Sequence, residues 1–286
     1  MSEEKPSLPA DYKVPEVWTF EEQEGKMGAM NRPTAGPRKE QTLPKGEYPL
    51  QLYSLGTPNG VKVTILLEEL AETKGVNYDA WKVNIFDLDQ FGSDFVKVNP
   101  NSKIPCMLDY SYSEPIRVFE SGAILKYVSE KYDDAFVPKD LRGKTETYNW
   151  LMWQMGTAPY VGGGFGHFYN YAPVKIQYAI DRFTMEVKRE LDVLDKELAN
   201  KKYIVGDTYT IADMAIWPWV MCCIKFYKAE TFLQLKEYKN LMRWYDLIAN
   251  RPAVIRGCRV NAFGDDAIEH VHGSVITMDK EAATAK

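Results

Sequence analysis

Apolar and polar positions first alternate at Pro49-Leu50-Gln51-Leu52-Tyr53-Ser54-Leu55, the period of two that predicts a strand. The alternation breaks at the turn-forming run Gly56-Thr57-Pro58-Asn59-Gly60, and residues 61–70 (VKVTILLEEL) then read as a helix. Trp81, Val83 and Ile85 alternate again and predict a second strand. Further on, the polar turn Asn99-Pro100-Asn101-Ser102-Lys103 ends abruptly on Ile104-Pro105. Two short apolar runs follow, Cys106-Met107-Leu108 and Ile116-Arg117-Val118-Phe119, separated by turn-rich residues that end in Glu114-Pro115. That is a hairpin pattern. Glu120-Ser121-Gly122 then opens a periodic segment (Ile124, Leu125, Tyr127, Val128) that predicts a helix.

From Thr145 onward the pattern is helical throughout. Ile176, Ile180, Phe183, Val187, Leu191, Leu194 and Leu198 recur at spacings of three and four, predicting one long amphipathic helix within 175–201. Asp181, Lys188, Arg189, Asp192 and Lys196 fall on its other face. Thr210 and Asp213, just before the run MAIWPWV, have the spacing of a capping box, and Pro218 should kink the helix that follows. A last helix is expected from Tyr238 to Ile248, with a polar tail beyond Arg251-Pro252.

The order strand, helix, strand, loop, strand, strand, helix is that of a thioredoxin-like unit with a mixed sheet, its first crossover right-handed. The expected fold is therefore an α/β N-terminal thioredoxin-like domain (47–134) followed by an all-α C-terminal domain (145–260), with a tail over 261–286. Residues 1–46, rich in Pro, Gly and charge, read as an irregular extension. The cluster Val17-Trp18-Thr19-Phe20 and the compact Met30–Pro37 segment point to an arm draped over the fold, the alternative being a solvated one.

Composition narrows the function classes. A net charge of −5 argues against nucleic acid as a partner. No apolar run reaches the roughly 18 residues that span a membrane, and the N-terminus lacks a signal-peptide core, so a cytoplasmic protein is expected. The cysteines, Cys106, Cys222, Cys223 and Cys258, show neither CxxC nor metal-ligand spacing, which suits free thiols and no metal. His270 and His272 read as part of a solvated turn.

Candidate chemistry gathers between Asn99 and Ser121. A cis Ile104–Pro105 bond would turn the Ile104 N–H and C=O outward, where a ligand backbone could pair with them. Glu120 and Ser121 lie at a strand-to-helix junction whose free N–H groups favour a carboxylate, and Glu120 adds an acceptor for an ammonium group. A ligand carrying an α-amino and an α-carboxylate at one end fits both; read alone, Ser121 is an ordinary helix cap. A thiol ligand further needs a donor to its thiolate. Thr57 and Asn59 occupy the first strand-to-helix turn, beside a helix N-terminus, where they read equally as turn and cap residues. Tyr53 lies too far back and reads as a core tyrosine.

The segments Leu52–Gly60, Asn101–Pro105, Phe119–Gly122, Gly162–Phe168, Tyr171–Pro173 and Ala215–Trp219 together resemble the nu-class glutathione transferases, described as disulfide-bond oxidoreductase-like, over about residues 31–260. The resemblance implies a homodimer that binds glutathione, two molecules per chain, and reduces small or glutathionyl disulfides without a protein cysteine. Weak transferase and peroxidase activity would accompany it. Thr57 and Asn59 would face the glutathione sulfurs as the catalytic pair, with Pro58 between them. Lys103, Ile104 and Pro105 would hold the cysteinyl backbone, and Glu120 and Ser121 the γ-glutamyl end. Asn31 and Gln90 would add polar contacts, and Arg182 would meet a carboxylate of the second glutathione. The chain departs from the pattern at Met155, where the family has glutamine; Gln154 lies one place earlier and about 100° away on a helix. Two alternatives stay open: a conventional transferase acting on electrophiles, and a glutathione-binding regulator. A fungal regulator of this fold carries an Asn-rich arm, whereas Asn31 is the single asparagine of residues 1–46. Gly162–His167 could shape an open substrate side or allow close helix packing, with His167 a general base or a structural histidine.

Overall fold

In the computed structural model, which describes residues 12–21 and 28–284, the chain folds around a mixed five-stranded sheet in the order β4-β3-β1-β2-β5. The remainder of the expected extension lies outside the described residues. The elements run β1 (Leu50–Ser54), α1 (Pro58–Lys74), β2 (Tyr78–Lys82), α2 (Ser93–Val98), β3 (Cys106–Asp109), β4 (Ile116–Phe119) and α3 (Ser121–Lys131). The helical part follows: α4 (Leu141–Pro159), a π-helical segment (Tyr160–Tyr171), α5 (Gln177–Glu197), α6 (Ile211–Lys225), α7 (Lys239–Ala249) and α8 (Pro252–Gly257). The chain closes with β5 (Val271–Gly273) and α9 (Val275–Thr284). β1 pairs parallel with β2 (Tyr53 opposite Trp81) and antiparallel with β3 (Tyr53 opposite Cys106), and β3 pairs with β4.

Two expectations are corrected. The second strand occupies Tyr78–Lys82 rather than Trp81–Ile85. The Val83 N–H still reaches the Ser54 carbonyl at 2.9 Å, but the Asn84 side chain then accepts the Phe86 N–H, and Ile85–Asp87 turn into a 3-10 helix. A local side-chain bond of this kind competes with the strand ladder. Nor is the C-terminal segment only a polar tail. β5 pairs antiparallel with β2, setting His272 opposite Asp79, and His272 Nδ1 lies 2.9 Å from Asp79 Oδ1. Asp79 is buried, and Tyr48 N–H (2.9 Å) and Gln51 Nε2 (2.6 Å) donate to its other oxygen. His272, on a strand rather than in a turn, thus serves a buried carboxylate, which needs such partners.

α1 is buried from Gly60 to Ala71 because it shares one apolar core with Leu50, Leu52 and Ala80 of the sheet and packs against α3, α6 and α8. Its acidic residues are accordingly paired: Glu68 with Arg256 at 2.9 Å and Glu69 with Arg251 at 2.6 Å. α8 crosses α1 at Gly257, where an added Cβ would lie 2.8 Å from the Ile65 backbone nitrogen. That contact is with backbone, which cannot swing aside. Gly257→Ala is therefore expected to lower stability by about 1–3 kcal/mol, the range for overpacking, measured as a shift in the denaturation midpoint.

In the helical domain the long amphipathic helix is α5, with Val187, Leu191 and Leu194 buried. Helix starts a little earlier than expected, at Leu141, where the Asp140 side chain accepts the Gly143 N–H at 2.9 Å. The capping box is present: Thr210 N–H donates to Asp213 at 2.9 Å and α6 follows, with Pro218 inside it. In the π-helical segment, a Cβ on Gly162, Gly164 or Gly166 would lie 2.6, 2.3 and 2.3 Å from Trp219, Phe183 and Tyr227 respectively. These glycines serve close packing. No helix among the described residues is long and apolar enough to cross a membrane.

Candidate active site

The β1–α1 turn, the loop before β3 and the β4–α3 junction converge on a cavity of about 230 Å³. Asn59, Asn99, Asn101, Lys103, Ile104, Pro105, Glu120 and Ser121 line it. The loop is braced from within. Buried Asn99 donates through Nδ2 to the Lys103 carbonyl at 2.6 Å and accepts the Asn101 N–H at 3.0 Å. The Ile104–Pro105 bond is cis. Among the described residues, no backbone group pairs with the Ile104 N–H or C=O, so both can meet an extended ligand backbone.

Glu120 is exposed and caps α3 with φ +71°, a left-handed conformation that costs a non-glycine residue energy. It points a carboxylate outward immediately before the free N–H groups of α3. Ser121, the next residue, is buried, and its Oγ accepts a hydrogen bond from Lys62 Nζ at 3.2 Å. Lys62 is itself fully buried and donates to Gln154 Oε1 at 2.5 Å and toward Met155 Sδ at 3.7 Å. At the departure from the family pattern, then, Met155 packs on Lys62 and Ser121, while Gln154 is turned inward as helix rotation requires. Burial pushes the Lys62 ammonium down to about 7, with Glu120 acting in the opposite direction.

Asn59 Oδ1 accepts the Trp219 Nε1–H at 3.1 Å. Indole can only donate, so this bond fixes the amide orientation and leaves the Asn59 Nδ2 hydrogens for another acceptor. Thr57, half-buried at the start of α1, does not cap the helix through its side chain; its hydroxyl is 3.5 Å from the Leu55 carbonyl. Pro58 takes the first helical position, where no N–H is needed. Tyr53 is in the core, as expected, with its hydroxyl donating to the Pro44 carbonyl at 2.7 Å.

The other expected contacts sit outside this cavity. Gln90 is buried and donates to the Ile85 carbonyl at 3.3 Å. Asn31 lines a separate, more open cavity of about 430 Å³ together with Trp18, Phe20, Arg32, Pro33 and His167. Arg182, on α5, is bound to Glu186 at 2.9 Å. Conversely, sequence reasoning did not single out Lys62, Trp219, Asn99 or Asn101 as site residues. The signal for Lys62 was a lone cation inside the apolar run VKVTILL, which must find partners if the helix is buried.

None of the cysteines resembles an activated thiol. Cys106, Cys222 and Cys223 are buried, and all four, including half-buried Cys258, are free. Burial raises the Cys222 thiol to about 12 and that of Cys258 to about 11, and pushes Cys106 and Cys223 up as well. A reactive cysteine is shifted the other way.

Comparison with known proteins identifies the family. Residues 48–130 match the glutathione S-transferase N-terminal domain and residues 168–252 the C-terminal domain. The disulfide-bond oxidoreductase YghU of Escherichia coli is 55% identical over 278 residues, 96% of each chain. A crystal structure of the glutathione transferase YghU from Streptococcus pneumoniae, complexed with glutathione, superposes with a TM-score of 0.85 at 57% identity, covering 88% of this chain and 99% of that one. A glutathione transferase from Burkholderia graminis with two glutathione molecules bound per subunit is 40% identical, with a TM-score of 0.69 and coverage of 73% and 87%. With both domains matched and a relative of more than half identity along nearly its whole length, the chain belongs to the glutathione transferase family.

Proposed function

We propose that the chain is an enzyme that reduces small or glutathionyl disulfides with bound glutathione. The observation that carries this reading is the Asn59 amide. Trp219 holds its oxygen, so its Nδ2 donors remain for a thiolate, in a cavity that Glu120 and Ser121 at the N-terminus of α3 also line. No protein thiol competes for the role, since burial keeps all four protonated at neutral pH.

The chemistry balances with two glutathiones per chain, the number bound in the Burkholderia graminis relative. The first thiol loses its proton, and its thiolate attacks one sulfur of the substrate disulfide, forming a mixed disulfide and expelling a thiolate that takes up a proton. The second glutathione thiolate attacks the glutathionyl sulfur of that mixed disulfide, releasing the remaining thiol and leaving oxidised glutathione. Glu120 and Ser121 anchor the γ-glutamyl end and Ile104 the cysteinyl backbone, while Asn59 and Thr57 stabilise the sulfur anion. Gln90, Asn31 and Arg182 belong to the same proposal as contacts completed by ligand, as do homodimeric assembly and a cytoplasmic location.

Replacing Cys106, Cys222, Cys223 and Cys258 together by alanine or serine should leave glutathione-dependent disulfide reduction within a few-fold of the parent, provided the melt shows a folded chain. Cys106 alone can be tested first. A folded Cys106 variant without turnover would return the chemistry to a protein thiol and end this reading.

A further inference from the structure

Buried charges on α1 are paired with one exception. Glu68 and Glu69 meet Arg256 and Arg251, but the partners of Lys62 are all neutral: an amide oxygen, a hydroxyl and a thioether. Among the described residues no carboxylate stands within ion-pair distance of it. An ammonium group out of water without a counter-charge is costly, and the cost is relieved by losing its proton or by gaining an anion. The place for the anion is on the page. Ser121 Oγ accepts from Lys62, and its own hydrogen has only long contacts, 3.5 Å to Asn59 Oδ1 and 3.7 Å to Met155 Sδ, which an arriving carboxylate oxygen can replace; Ser121 also lines the ligand cavity at the start of α3. We infer that Lys62 is a positioning residue, the concealed counter-charge for the carboxylate end of glutathione, and that ligand binding at the Glu120–Ser121 junction draws a proton onto it.

The inference rests on the proposed glutathione site. The charged and titratable groups around Lys62 are few. Glu120 precedes α3 and favours the ammonium form. α4 presents Gln154 and Met155, both neutral. From α5, Glu190 faces a small cavity that Gln154 and Trp219 also line; its carboxyl is raised to about 8 by burial, and one oxygen has no partner. On α1 the carboxylates Glu68, Glu69 and Glu72 turn to Arg256 and Arg251, and Lys74 pairs with Asp133. With Lys62 near 7 in the free protein, a carboxylate arriving a few ångströms away raises it by about 1–3 pKa units. The ligand-bound state then holds more protons than the free one above pH 7, so affinity falls as pH rises through 7 and is flat below about pH 6.

S-hexylglutathione is a suitable probe because it carries both ends of the tripeptide but no free thiol. Titration calorimetry in buffers of different ionisation enthalpy counts the protons bound with it. The parent protein should take up about half a proton or more at pH 8 beyond that of Lys62→Arg, but only about 0.1 at pH 6, and Kd should weaken roughly five- to tenfold from pH 6 to pH 8. Lys62→Arg, charged throughout, should bind without that dependence. Lys62→Met should bind more weakly at pH 6 and show none of the uptake. Glu190→Gln should keep the parent's proton count; its loss there would assign the proton to Glu190 and overturn the inference. Binding by the parent with no excess uptake over Lys62→Arg would overturn it too. No binding at either pH would instead remove the glutathione site on which it rests.

Discussion

Asp213→Ala is expected to cost about 3–5 kcal/mol and to abolish cooperative folding of the helical domain near body temperature. The carboxylate is fully buried and accepts from the Thr210 N–H (2.9 Å), the Ile204 N–H (3.0 Å) and Trp244 Nε1 (2.8 Å), with the Thr210 hydroxyl at 3.3 Å. A capping box alone contributes about 1 kcal/mol. Here the same side chain also ties the loop at Ile204 and the α7 residue Trp244 to the start of α6. Truncation strands three buried N–H donors, each costing about 1–3 kcal/mol when left unpaired. Set against a total stability of about 5–15 kcal/mol, the loss is a large fraction. Chemical denaturation of the variant beside a Thr210→Ala control separates the two contributions. A loss no larger for Asp213→Ala than for Thr210→Ala would reduce this residue to a cap.

The second large effect is on turnover. Asn59→Ala should slow disulfide reduction about 10- to 100-fold at pH 7 while leaving the melt nearly unchanged. Removing a donor aimed at a thiolate raises the thiol pKa, and each unit lost removes about a factor of ten in thiolate at a pH below it. The deficit should therefore shrink as pH rises, moving the rising limb of the rate profile up by about one to two pH units. Trp219→Phe keeps the bulk but frees Asn59 Oδ1 to rotate, so a smaller loss with the same alkaline shift is expected. A uniform loss across the pH range would mean that Asn59 shapes the cavity rather than the sulfur's charge.

Much of this site could be read from the sequence because its anchors are local. Strand, turn and helix from Leu50 to Leu70, the Ile104–Pro105 junction and the Glu120–Ser121 start of α3 each announce themselves within a few residues. What could not be read is what depends on distant pairing. Lys62 becomes part of the site through Gln154, 92 positions away, and Asn59 is oriented by Trp219, 160 positions away. Trp219 sits in an apolar helical run where an indole signals only core. β2 ends earlier than the alternation, which continues to Ile85, because Asn84 diverts the chain. β5 is three residues long, too short to show a period, and exists because β2 offers it an edge.

That edge bears on how the chain is made. β1, β2, β3 and β4 leave the ribosome together, but β2 meets its outer neighbour only after Gly273 has emerged, behind the whole helical domain. Until then the nascent sheet carries an open strand edge at β2, and Asp79 lacks the imidazole of His272. An open edge is a template for pairing with other chains. Final closure of the sheet thus waits for its last strand, and a chain stopped before β5, even with every glutathione-site residue in place, would be released with that edge still exposed.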